Sequence, residues 1–174
     1  MLYENYEQVV ANVKKACERS GRNFQDITII AVSKTKPLSD VEELLSHGVM
    51  EFGENKVQEM VDKYEHVSKP VHWHLIGHLQ TNKVKYIVDK ACLIHSVDSV
   101  HLAKEIEKEA AKKGVVAKVL LEVNIAQEET KFGIREDEVY ALIDAIKDMP
   151  HVHVMGLMTV SYTHLRAHET LMNL

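Results

Sequence analysis

Apolar positions along this chain keep changing their period. Val9, Val10, Val13, Ala16 and Cys17 recur at helical spacing and Gly21 follows, which predicts an amphipathic helix with a glycine stop. The run "ITIIAVS", Ile27 to Ser33, is apolar at nearly every position, the pattern of a strand buried on both faces. "DVEELLSHG" returns to helical spacing; Ser39 offers an N-cap with Glu42 three residues on, and Gly48 a carboxyl-terminal stop. "VMEFGEN" predicts a short strand ending in a polar loop, and "KVQEMVDKYEHV" a helix. Further strands are expected in "VHWHLIG", "LIHSVD", "AKVLLEVNI" and "VHVMGLMTV". Helices fall between them in "QTNKVKYIVDKA", "SVHLAKEIEKEAAKKG" and "REDEVYALIDAIKDMP", the last stopped by Pro150.

Six β-then-α beats are therefore visible in the chain. Short apolar strands alternating with helices belong to parallel sheets joined by right-handed crossovers, so the class is α/β. An open doubly wound sheet and a closed (β/α)8 barrel both satisfy the pattern. The dinucleotide-binding form of the first wants G-x-G-x-x-G after its opening strand, and "SKTKPLSD" contains no glycine. A barrel places its chemistry at the carboxyl ends of its strands. Those ends hold Lys34, Asn55, His74 with Gly77, Ser96 with Asp98, Asn124, and Met158 with Thr159.

Composition narrows the function classes. A chain of 174 residues that is 45% hydrophobic suits one domain with a real core. Its 21 basic and 26 acidic residues are interspersed, so no phosphate-backbone footprint forms and nucleic acid is not an expected partner. Cys17 and Cys92 lie far apart, which suits a reducing compartment and points to the cytoplasm. The charged amino terminus lacks the apolar stretch of a secretory signal, and no run is apolar enough to span a membrane.

Lys34 ends the apolar run "ITIIAVSK", where desolvation at the mouth of a low-dielectric region would lower the pKa of an amine and make it a nucleophile toward aldehydes. The alternative is a lysine that snorkels to solvent or pairs with a carboxylate. "HWHLIGH" invites a metal reading, a hydrolase using His72 and His74, because residues i and i+2 share one face of a strand and His78 could close a third position. Against it, no Asp or Glu partner stands at diagnostic spacing. "GHLQTNK" is no Walker A loop, "KEIEKEAAKKG" is a solvated helix face, and Met60, Met155 and Met158 read as core filler.

The segments "AVSKTKP", "FGENKVQE", "WHLIGHLQTNKVKYI", "SVDS", "LEVNIAQEETKFGI" and "GLMTV" stand in an order and spacing that resembles the YggS/PROSC family of pyridoxal-phosphate-binding proteins, from about residue 5 to about residue 160. The resemblance implies a cytoplasmic, single-domain barrel like the amino-terminal domain of alanine racemase. It implies pyridoxal 5'-phosphate held as a Schiff base on Lys34, with Asn55, His74 and Met158 lining the same mouth, and Lys131 as a transient second acceptor. It implies a role in vitamin B6 homeostasis, supplying cofactor to apoenzymes that depend on it, with no turnover reaction. The expected state is a monomer. A pyridoxal-phosphate-dependent racemase would need a second acid/base from another domain.

After Val160 the chain reads "SYTHLRAHETLMNL", which departs from the family pattern. The expectation is a partial barrel over residues 1–160, about six of eight βα units, followed by a non-native tail over 161–174. The units that the resemblance places beyond it would carry the phosphate-gripping loops.

Overall fold

The computed structural model describes residues 2–125 and 132–159. Lys131 and the segment 161–174 lie outside the described residues. Helix α1 (Leu2–Ser20) precedes six strands: β1 (Ala31–Val32), β2 (Glu51–Glu54), β3 (His72–Leu75), β4 (Ala91–Val97), β5 (Ala117–Val123) and β6 (Val152–Thr159). Between them run α2 (Leu38–Ser46), α3 (Val57–His66), α4 (Val84–Ile87), α5 (Val100–Lys113) and α6 (Val139–Ile146).

The strands form one parallel sheet in the order β1-β2-β3-β4-β5-β6. A doubly wound sheet starts near its middle and reverses direction at a switch point. Here each strand is added on the same side of the last, which is the wall of a barrel.

Alternation along the strands divides the side chains between two faces. Phe52, Trp73, Leu75, Ile94, Val119 and Leu121 face the helices and pack with Met60 of α3, Ile87 of α4, and Leu102 and Ile106 of α5 in one core. Glu51 and Gly53 of β2, His72 and His74 of β3, and Glu122 of β5 take the opposite, concave face.

Local signals held at most termini. Gly48 and Gly114 turn left-handed with φ of 84° and 65°, ending α2 and α5, and the Ser99 side chain caps α5 by accepting from Leu102 N at 3.2 Å. The expected Ser39 cap is corrected. Helix α2 begins at Leu38 with Pro37 as N-cap and no side-chain cap, because the proline ring presets the entering dihedral. Glu42 instead accepts from Ser68 N at 2.7 Å, and the Ser68 hydroxyl and amide hold its carboxyl below the usual range.

The opening strand is shorter than "ITIIAVS" predicts. Only Ala31 and Val32 pair, against Phe52 and Gly53. Helix α4 is likewise a single turn, preceded by a 3-10 turn at Thr81–Lys83.

Candidate functional site

The loop leaving β1 is gripped from below. Ser33 N donates to Gly53 O at 3.0 Å, continuing the ladder, and Ser33 Oγ donates to Glu54 Oε1 at 2.6 Å. The Lys63 ammonium, 5% exposed, rises from α3 and donates to Glu54 Oε1 at 2.7 Å, Glu59 Oε1 at 2.9 Å and the Ser33 carbonyl at 2.7 Å. Glu59 Oε1 also accepts Thr35 N–H at 2.6 Å. Partial burial pushes the Glu59 carboxyl up, but the bonds from Lys63 and Thr35 outweigh it and hold it below its ordinary value. Thr35 is the non-glycine residue with positive φ, 62°, among the described residues.

Lys34 stands between these two tethered neighbours. Its side chain is exposed, so the expectation of an amine sheltered from water is not met. Lys34 lies just beyond the paired positions of β1, before the left-handed turn at Thr35.

Asn55 leaves the end of β2, the strand beside β1, and is also exposed. The exits of β2 and β3 touch backbone to backbone, since a Cβ on Gly77 would lie 2.8 Å from Asn55 Cα. The structure thus brings Lys34 and Asn55 to adjacent strand ends.

His74 is buried and lower on the concave face, level with Gly53. Its Nε2 is 2.7 Å from Glu51 Oε2 and its Nδ1 is 2.9 Å from His95 Nε2. His72 Nδ1 lies 2.5 Å from Glu51 Oε1. The carboxylate that a search along the chain did not find comes across the ladder from β2. Partial burial raises the Glu51 carboxyl, yet the bonds from His72 and His74 prevail and hold it below the ordinary range. Burial and His74 push His95 down to about 4, so its ring is neutral at physiological pH.

Glu51, His74 and Cys92 each offer a metal-ligating atom, all within 4.8 Å of one another. Burial, and then Glu51, push the Cys92 thiol up to about 11, and both His74 nitrogens already have partners. Glu51, His72, His74 and His95 form one hydrogen-bonded unit. His78 is not part of it: its ring stacks on Phe132 at 3.9 Å and faces Asp98 at 3.7 Å.

Met158 sits on β6, in register with Glu122, at the edge of the sheet away from Lys34. Glu122 is 7% exposed, its Oε2 has no partner among the described residues, and burial followed by the nearby Asp98 raises its carboxyl above the usual range. A carboxyl raised in the fold contributes most at acid pH and loses that contribution as pH rises through its folded value. Glu122→Gln removes the buried charge beside Asp98 and is therefore expected to stabilise the chain at pH 7. Denaturant titrations at pH 7 and pH 4 should show the gain shrinking with acidification.

Glu51, Glu54, Glu59 and Lys63 were not singled out by the sequence. Lys63 alone carried a signal, since it shares the buried face of α3 with Val57 and Met60, where a charge needs a partner.

The family model described as alanine racemase, N-terminal domain, matches residues 5–170. A pyridoxal phosphate homeostasis protein of Aquifex aeolicus is 43% identical over 158 residues, 90% of this chain and 69% of the relative. A crystal structure of an unknown protein from Bifidobacterium adolescentis superposes with a TM-score of 0.87 at 27% identity, covering 98% of this chain and 78% of that one. PipY of Synechococcus elongatus with PLP bound gives a TM-score of 0.75 at 31% identity, covering 94% and 76% of the two chains.

Proposed function

Because the chain belongs to the alanine racemase N-terminal-domain family and, within it, to the pyridoxal phosphate homeostasis proteins, we propose that it binds pyridoxal 5'-phosphate through Lys34 and holds the cofactor for apoenzymes. In this reading it works as a monomer in the cytoplasm and turns over no substrate. Its binding unit is a partial barrel over residues 1–160, followed by a non-native tail over 161–174.

The observation that carries the reading is the placement of Lys34. An exposed lysine with no side-chain partner among the described residues stands at the carboxyl end of β1, while the residues on both sides of it are tied down. The amine is free to react and its backbone is not free to wander. The residues present fit the aldehyde end of this cofactor, with an exposed amine at one strand exit and Asn55 at the next. Lys34 would hold the aldehyde carbon, Asn55 would border it, and His74 and Met158 would line the concave face further from the amine. When bound, pyridoxal phosphate supplies an electrophilic carbonyl and a conjugated ring.

Water reaches Lys34, so its reactivity rests on placement, and on the lack of a competing carboxylate among the described residues, more than on desolvation. Lys63 offers no rival, because its ammonium is buried and donates to three oxygens. No helix of the described residues is long and apolar enough to cross a membrane.

The test is trapping. Protein incubated with pyridoxal phosphate, reduced with borohydride and digested is expected to yield the pyridoxyl label on the peptide containing Lys34, and Lys34→Ala to abolish it. A label that maps to another lysine in the wild type would overturn the assignment.

A further inference from the structure

We propose that Lys63 is the positioning residue for Lys34, acting through Glu54 and Glu59; the inference rests on the reading of Lys34 given above. Glu54 is 0% exposed and Lys63 5% exposed. A buried ion pair is a poor stabilising device, because taking both charges out of water offsets their attraction and apolar groups of similar shape commonly serve as well. The pair is placed where it controls the β1 exit.

Every bond it makes there converges on the two neighbours of one residue. Lys63 donates to the Ser33 carbonyl, Glu54 accepts from the Ser33 hydroxyl, and Glu59 accepts from the Thr35 amide. The carboxylate oxygens involved are the same ones that bind Lys63, Glu54 Oε1 and Glu59 Oε1. One ammonium therefore fixes the residue before Lys34 directly and the residue after it through Glu59. Thr35 is held at φ 62°, a region that residues with a Cβ rarely occupy and that persists only where surrounding bonds impose it. Without the Glu59 bond the chain would relax toward an ordinary turn and Lys34 would point elsewhere.

The experiment compares four variants of the full chain: Lys63→Met/Glu54→Met, which removes the buried pair together; Glu59→Ala, which frees the Thr35 amide from a partly exposed position; Lys63→Arg; and Lys34→Ala. Each is titrated with pyridoxal phosphate by visible absorbance, the site of borohydride-trapped label is mapped, and thermal unfolding is followed in parallel. Loss of the clamp is expected to weaken capture at Lys34 about tenfold or more, as misplacing a reacting group does. Glu59→Ala should do so while the chain remains folded, and Lys63→Arg should recover much of the affinity.

Wild-type affinity in folded Lys63→Met/Glu54→Met, or in Glu59→Ala should the double variant not fold, would overturn the proposal. If Lys34→Ala also binds as the wild type does, the assignment of Lys34 has failed. If Lys34→Ala loses binding while the clamp variants keep it, only the positioning role has.

Discussion

Gly77→Ala is expected to destabilise the chain by about 3 kcal/mol, at the upper end of what overpacking costs. The added methyl would lie 2.8 Å from Asn55 Cα and 2.9 Å from its carbonyl carbon, separations that side-chain carbons do not adopt. The obstacle is backbone, so no rotamer change relieves it. The exits of β2 and β3 would have to separate, carrying Asn55 away from Lys34. Gly48 and Gly114 provide the contrast. A Cβ on either meets nothing within 4 Å, and alanine there costs only the left-handed conformation, about 1 kcal/mol. Urea denaturation of the three variants, with a pyridoxal phosphate titration of Gly77→Ala, checks the ordering. An unaltered Gly77→Ala would show that the two strand exits part freely.

Trp73→Ala is expected to cost about 3–5 kcal/mol, a large share of the 5–15 kcal/mol by which domains are usually stable. Trp73 is 0% exposed, on the helix-facing side of β3, with its ring 5.9 Å from that of Phe52. Its removal would open a cavity where β2 and β3 meet the helices. Trp73→Phe should cost less than about 1.5 kcal/mol, since it keeps an aromatic in place and removes an indole N–H that has no partner among the described residues. Denaturant unfolding followed by far-ultraviolet circular dichroism measures both, because this is the chain's one tryptophan and its fluorescence is lost with the substitution.

The order of strands and helices was legible in the sequence because both periods are strong and glycines punctuate them. What tertiary contacts decide was not. Ser39 has the chemistry of a cap, but Pro37 fixes the entry to α2 and Glu42 finds Ser68 across the fold. Ile27 to Ile30 have strand-like composition, yet the ladder with β2 reaches only Ala31 and Val32. The place of Lys34 at the end of β1 was legible from the apolar run before it. Its exposure was not, because that depends on the turn at Thr35 and on Glu59, a residue 24 positions further along the chain. The Glu51 partner of His72 and His74 was hidden for the same reason: parallel pairing brings together residues that no spacing along one segment connects.

The sequential sheet sets an uneven tenure along its strands. β5 and β6 share seven paired positions, whereas β1 is attached through two. Backbone pairing alone therefore holds β1 by little, and the bonds from Lys63, Glu54 and Glu59 at its exit supply what the short ladder does not. Any ligand that engages only the seated form of β1 adds to that hold by mass action. Ligand binding at that exit and annealing of the first strand then become two readings of a single equilibrium.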